Sequence, residues 1–461
     1  MRPAALKPLL LILLIGLLPL IGFAKQEVSA DDGRPPNIIL IVVDALRADH
    51  LQSYGYTRPT APVVEARLVN EGVLFSEATA VSSWTNPSNG ALLSGRLPSD
   101  VDTVWSDMTR RIPDSETLLA EYLRASGYVT AGFVDNWWVS AQFGYSQGFD
   151  HYAQTEGDDR YKAASVNKLA QAWLNANSTA LAASDKPLFL FLYYFDPHSW
   201  YDPPSPFDTK FDPDYTGFLT PEIFGHGQDV VSGKITLGPR DLEHLIALYD
   251  GEIAYWDQQL GLMLDDLEGR GLLENSLIVL TSDHGQMFGE HGKWVHRNSL
   301  YEEVLRVPLI FRYSGTLPQG RVFDEPVDHL DVTPTILQFA GINIPPQMRG
   351  RSLAPLMKGV GPLQSRPIYA EMAGETDPNG DAYWIAPRTN LFSIKNDGYK
   401  LIHAQQVPQQ DQLYRIEASS IYEGDNLIDT NPDMAETLWL KLQNHFAIPT
   451  EFLYLPALQR P

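Results

Sequence analysis

The sequence predicts an α/β fold: a large, mainly parallel sheet flanked by helices, then a smaller C-terminal α+β subdomain carrying an antiparallel sheet. Three observations predict it. Short continuous apolar runs recur at 38–43, 128–134, 187–195, 276–282 and 307–313, a pattern that suits strands buried on both faces. Helical patterns lie between them, at 115–127 and 245–271, and alternating strands and helices build α/β folds. Past about residue 345 the texture changes. There NLFSIKNDGYKLIHA (390–404) reads as two antiparallel strands joined at Asn396-Asp397-Gly398, and MAETLWLKLQNHF (434–446) as a closing helix. We therefore expect one large domain over 37–345 and a smaller one over 346–461.

In chain order, the N-terminus has Arg2 and Lys7 before an apolar run, 9–23, that closes on Gly22-Phe23-Ala24. That is the pattern of an export signal, here 1–24, with an uncleaved anchor as the alternative. The run is shorter than the roughly 20 residues of a spanning helix, so we expect cleavage and no stable membrane span afterwards. The chain would then be exported, periplasmic or secreted. Residues 25–36 are polar, end on two prolines and read as a linker. Residues 199–240 are rich in Pro, Asp and Gly, and read as a long surface excursion forming a rim over a site.

Composition narrows the function. The 461 residues exceed one ordinary core. A net charge of −23, from 57 acids against 34 bases, argues against a nucleic-acid partner, because phosphate contacts need clustered Lys and Arg. With no cysteine there is no disulfide, no thiolate metal site and no cysteine nucleophile. An anionic substrate would need a local patch of positive potential inside this acidic chain.

Three of the buried strands end in candidate chemistry: Asp44, Asp283-His284-Gly285 and Asp196-Pro197-His198. Ligands of open α/β sheets bind at the carboxyl ends of strands. A single Asp after a strand is usually a turn residue or a cap, but three of them with adjacent imidazoles suggest a hard, oxygen-rich ligand set. Between them lies SSWTNPSNGALLSG. Pro87 suits a first helical turn, Asn86 reads as its N-cap, and the helix should end near Gly95. Thr85 would then stand just before a helix N-terminus, where negative charge is favoured. From the local sequence it is either a nucleophile activated by a divalent cation or a plain loop residue.

Several stretches, in order, carry a resemblance: PNIILIVVDALRADHLQSYGY, SSWTNPSNGALLSGRLP, TLLAEYLRASGYVTAGF, FLYYFDPHSWYDPP, LYDGEIAYWDQQL, LIVLTSDHGQMFGEHGKWVHRNSLYEEVLRVPLIF and DVTPTIL. Over about residues 36–345 the chain resembles the sulfatase family of the alkaline-phosphatase-like superfamily. The tail LYRIEASSIYEGDNLIDTNPDMAETLWLKL resembles that family's C-terminal subdomain. The resemblance implies one divalent metal ion, Ca²⁺ in the family with Mn²⁺ or Zn²⁺ also compatible, bound by Asp44, Asp283 and His284 and touched by the nucleophile, Thr85. It further implies that His198 protonates the leaving oxygen and that His296 binds the transferred anionic group, with Lys293 adding charge nearby. The substrate implied is an anionic ester on a small molecule, a glycan or a lipid head group.

The departures bear on mechanism. The family converts a Cys or Ser at the nucleophile position to formylglycine; Thr85 cannot become that aldehyde, so an adduct on it must be hydrolysed directly by water. Thr at this position resembles phosphodiesterases and phosphoethanolamine transferases of the superfamily. Asn89, read with Lys293 and Asn136 as a substrate-binding residue, stands where the family has Arg, and Ala45 where it has a second Asp. Asn136, after the 128–134 run, reads as a substrate contact or a turn residue. His291 and His329 read as structural or exposed, Trp137-Trp138 as core, and Glu290, Glu302 and Glu303 as loop and helix surface. The expected activity is metal-dependent hydrolysis of sulfuric or phosphoric esters. The alternatives are a phospho-head-group transferase and a non-catalytic binder of anionic glycans.

Overall fold

The structure, a computed structural model, describes residues 34–103, 110–155, 163–225, 227–374, 389–417 and 422–449. The expected export signal and the linker up to residue 33 lie outside the described residues. Among these residues no helix is long and apolar enough to cross a membrane.

An eight-stranded sheet forms the centre. Its strands are β1 (Asn37–Val43), β2 (Val73–Phe75), β3 (Val129–Val134), β4 (His151–Gln154), β5 (Leu188–Tyr194), β6 (Ser276–Ser282), β7 (Leu309–Arg312) and β8 (Arg321–Phe323), in the order β8-β2-β7-β6-β1-β5-β3-β4. All pairs are parallel except those of β7, which runs antiparallel to both β6 and β2. A short apolar run carries no direction, which is why 307–313 looked like its parallel neighbours.

Strand alternation then sorts the side chains. Ile38, Leu40, Val42, Phe189, Phe191, Tyr193, Leu277 and Val279 enter one core, and Ile39, Ile41, Leu190, Leu192, Tyr194, Ile278 and Leu280 enter the other. The first core is covered by α1 (Thr85–Ser94), α2 (Leu119–Ala125) and a later helix, Val332–Phe339. The second is covered by α3 (Ala163–Ala182) and α4 (Pro239–Gly269). Continuing the same period by one step places Asp44 and Asp283 on the α1 side of the sheet, the side of Tyr193.

Two helix starts differ from expectation. α1 begins at Thr85 itself, because Trp84 holds extended angles (φ −160°, ψ 165°) and serves as N-cap. Pro87 is still accommodated in the first turn, where its missing N–H would have no helical partner. α2 begins only at Leu119, where the Leu118 N–H donates to Glu121 Oε2 (2.8 Å) and so closes the helix start. Before α4 begins at Pro239, the described residues of the 199–240 excursion form short helical turns and loops, anchored by Tyr201, Leu219 and Phe224 buried in the second core.

The C-terminal sheet is antiparallel and four-stranded, Ile368–Met372, Leu391–Asn396, Tyr399–Ala404 and Gln412–Arg415 in sequential order. The hairpin turns at Asp397-Gly398, both with positive φ. The helix Pro432–Phe446 closes it through Leu438, Trp439 and Leu442. Glu302 and Glu303 are buried, contrary to the surface reading: Lys395 and Lys400 of this sheet close on Glu302, and Glu303 faces His291. Lys400 Nζ donates to Glu302 Oε1 and Glu423 Oε1, and Lys395 Nζ to Glu302 Oε2, all at 2.8 Å. Burial alone would raise the Glu302 carboxyl, but the two ammoniums outweigh it and hold it well below its usual range. Removing one partner strands a buried charge. Lys400→Met is therefore expected to destabilise the fold by about 3–5 kcal/mol, measured by urea unfolding.

Candidate active site

The ends of β1, β5 and β6 converge. β1 delivers Asp44, whose N–H donates to Tyr194 O (2.9 Å), and β6 delivers Asp283 and His284. Asp44 Oδ2 accepts from Asn136 Nδ2 (2.6 Å) and lies 2.8 Å from the Tyr193 hydroxyl; Asp44 Oδ1 has no hydrogen-bond partner among the described residues. Asp283 Oδ1 accepts from the N–H groups of Ala45 (3.2 Å) and His284 (2.8 Å). Asp283 Oδ2 accepts from Asn89 Nδ2 (3.2 Å) and also lies 2.8 Å from the Tyr193 hydroxyl. His284 Nδ1 is 2.8 Å from Gly285 O and so donates to it, and in the neutral ring Nε2 is then the lone pair. That Nε2 is 3.5 Å from Asp44 Oδ1, 3.7 Å from Asp283 Oδ2 and 3.4 Å from Thr85 Oγ1. Asp44, Asp283 and His284 are fully buried and Thr85 nearly so, at the first residue of α1.

This arrangement carries excess negative charge. Burial first, and then the neighbouring Asp283, push the Asp44 carboxyl well above its usual range, against the hydrogen bonds from Tyr193 and Asn136. Tyr193 has one hydroxyl proton and faces two carboxylates, so it can satisfy only one of them. A divalent cation fits what remains. One ligand atom each from Asp44, Asp283 and His284 lies within 4.8 Å of the others, one carboxylate oxygen is orphaned, and the imidazole is in the ligating tautomer.

The other sequence-predicted residues fall in several places. His296 and His198 reach this edge: the His296 ring stacks at 4.4 Å on His284 and meets the His198 ring edge-on at 4.9 Å. His296 Nδ1 is 2.7 Å from Gln286 Oε1, and His198 Nδ1 is 2.9 Å from Ser199 O. Asn89 and Asn136 are instead behind the carboxylates. Asn89 Nδ2 is engaged by Asp283 and by Thr85 O (2.9 Å), and Asn136 Oδ1 caps a short turn by accepting from Trp138 N (2.8 Å). Lys293 lines a separate cleft of about 110 Å³ with Tyr301, Leu391, Ile402 and Gln412, where burial lowers the pKa of its ammonium. Trp138 packs against Trp84 and Phe143, whereas Trp137 is partly exposed. His329 is structural: its Nε2 is 2.9 Å from Ser282 O, and burial pushes its pKa down to about 4.

Sequence reading missed Tyr193 and Gln286. Tyr193 could have been found by counting, since it shares the parity of Asp44 and Asp283 on paired strands. The loops around the site also store strain. Ala45, Tyr201, His291, Val295 and Arg297 are five of the eight non-glycine residues with positive φ among the described residues. Gly285 has no room for a side chain, because a Cβ there would lie 2.1 Å from Glu303 O.

Known proteins share both sequence and shape with this chain. Residues 36–342 match the sulfatase family, and residues 289–446 match the family described as N-sulphoglucosamine sulphohydrolase, C-terminal. The chain is 27% identical over 396 residues to an ulvan-active sulfatase of Formosa agariphila, covering 79% of this chain and 73% of that protein. It is 35% identical over 217 residues to an arylsulfatase of Clostridium perfringens, covering 45% and 44%. A solved phosphonate monoester hydrolase from Silicibacter pomeroyi has the same fold, with a TM-score of 0.71 at 20% identity, covering 91% of this chain and 97% of that one. The first match spans well over half of the sequence, and the chain therefore belongs to the sulfatase family of ester-bond hydrolases.

Proposed function

We propose that this chain is an exported, metal-dependent hydrolase of sulfuric or phosphoric esters, phosphonates included, working through Thr85. The supporting observation is the position of Thr85 Oγ1, at a helix start and 3.4 Å from the ligating nitrogen of His284. A divalent cation held by Asp44, Asp283 and His284 would lower the pKa of the Thr hydroxyl and offset the charge of the transferred group. Thr85 Oγ1 attacks the sulfur or phosphorus, forming one bond as the bond to the leaving oxygen breaks. The Thr85 proton is released to solvent, and the leaving oxygen takes a proton from His198 Nε2, whose Nδ1 side is fixed on Ser199 O. Water then attacks the same sulfur or phosphorus and displaces Thr85 Oγ1, which recovers a proton. His296, oriented by Gln286, faces the transferred group. Asn89, Asn136 and Tyr193 keep the two carboxylates turned toward one point. In this reading residues 37–345 carry the chemistry and 346–461 shape access to it.

A substrate panel tests the reading. Nitrophenyl sulfate, phosphate monoester, diester and phosphonate are assayed with purified chain and measured metal content. Turnover on at least one, lost on chelation and restored by a divalent ion, is expected. A metal-free, inactive protein would instead point to an anionic-glycan binder, and transfer to an added alcohol in preference to water would point to a transferase. Relatives named as ulvan-active and N-acetylglucosamine-6-O-sulfatases make sulfated glycans the first natural substrates to try.

His198 gives a sharper expectation. General-acid assistance contributes about 10²–10⁴-fold and matters most for poor leaving groups. His198→Ala should lower kcat on an alkyl or sugar ester by about 10²-fold and on the nitrophenyl ester by far less. Equal losses on both would remove His198 from that role.

A further inference from the structure

A second group of ligating side chains lies apart from Thr85. His291, Glu303 and Glu423 each offer one ligand atom, all within 4.8 Å of one another. His291 Nε2 is 3.3 Å from Glu303 Oε1 and 3.6 Å from Glu423 Oε2. The side chains of both glutamates are 0% exposed and that of His291 is 20% exposed. Among the described residues, neither oxygen of Glu303 nor Glu423 Oε2 has a well-aligned hydrogen-bond partner, and His291 Nε2 stands beside them at ion-pair distances. Three such carboxylate oxygens in one buried place need a partner, because an unpaired buried charge is costly.

The nearby cations do not supply it. Lys395 is engaged by Glu302 Oε2, and Lys400 by Glu302 Oε1 and Glu423 Oε1. A protonated His291 has a single Nε2–H and can serve only one of the three oxygens. The geometry is also fixed from outside. Glu423 Oε1 accepts from Lys400 Nζ and from the Glu302 N–H (3.0 Å), which aims Oε2 at His291. The His291 ring is stacked on Tyr301, with centroids 3.9 Å apart and planes 11° apart. The Glu303 backbone is tied to the Asp283-His284 turn through Gln286 N–H to Glu303 O (3.0 Å).

We propose that His291, Glu303 and Glu423 form a second divalent-cation site, distinct from the Thr85 cluster, that takes zinc. One imidazole and two carboxylates suit zinc, and the partly exposed His291 side leaves a position for water. The ion would fasten Glu423, beyond the C-terminal sheet, to the loop and short helix beside β6, so its role is structural.

The test uses the full chain stripped of metal and titrated with ZnCl₂, with bound zinc read by calorimetry and elemental analysis. Wild type is expected to bind two zinc ions per chain, the Asp44→Ala/Asp283→Ala variant one, and His291→Ala one. Added zinc should raise the melting temperature of the Asp44→Ala/Asp283→Ala variant, and adding His291→Ala to it should abolish both binding and that rise. Zinc stoichiometry unchanged by His291→Ala overturns the proposal, as does a folded Asp44→Ala/Asp283→Ala variant that binds none. If that variant does not fold, the comparison of wild type with His291→Ala decides alone. Failure of the Thr85 site would look different: wild type would bind one ion, and His291→Ala would abolish it.

Discussion

Thr85→Ala is expected to lower kcat by at least about a hundredfold on every ester the enzyme accepts, with KM little changed. Thr85 Oγ1 lies 3.4 Å from His284 Nε2, and it reaches there from a helix start. Deleting it removes the attacking atom but leaves the ligand atoms of Asp44, Asp283 and His284, so cation binding should survive. Thr85→Ser keeps an oxygen and should retain part of the activity. The covalent step is checked separately, by quenching a reaction and finding the mass of one sulfuryl or phosphoryl group on the peptide that contains Thr85. Full activity in Thr85→Ala would mean that another group attacks.

Asp283→Ala should be equally damaging, for a different reason. Asp283 ties the site together: Oδ1 takes two backbone N–H groups, and Oδ2 meets Tyr193 and Asn89. Its loss removes one of the three proposed ligands and frees the N–H groups of Ala45, after β1, and His284, after β6. We expect the divalent ion of the Thr85 site to be lost, one fewer per chain than in wild type, and turnover to fall by at least about a hundredfold, read by elemental analysis beside the rate. Unlike Thr85→Ala, this variant should fail to bind the ion as well as to turn over. Asp283→Ala that is inactive yet still holds the ion at wild-type affinity would remove Asp283 from the ligand set.

Much of this was legible in the sequence, for a physical reason. Buried parallel strands are continuous apolar runs, and the first polar residue after each marks its carboxyl end. That located Asp44, Asp283 and His284 without any structure. The hairpin at Asp397-Gly398 was legible from turn chemistry. What stayed hidden depended on pairing across the chain. The direction of β7 is set by its neighbours, not by its own residues. The burial of Glu302, closed on by Lys395 and Lys400, depends on a sheet formed about a hundred residues later. Asn89 and Asn136 were candidates for touching substrate, and only the side-chain geometry shows their amides turned to the carboxylates. Tyr193 lies in an apolar run where a phenol passes for core, and its contact with both carboxylates appears once the register of β1, β5 and β6 is known.

The central claim is that Asp44, Asp283 and His284 hold one cation against Thr85. Anomalous diffraction from crystals grown with Mn²⁺ tests it most directly. The expected result is a manganese peak bounded by Asp44 Oδ1, an Asp283 carboxylate oxygen, His284 Nε2 and Thr85 Oγ1. A well-ordered active crystal with no peak among those four atoms would contradict it.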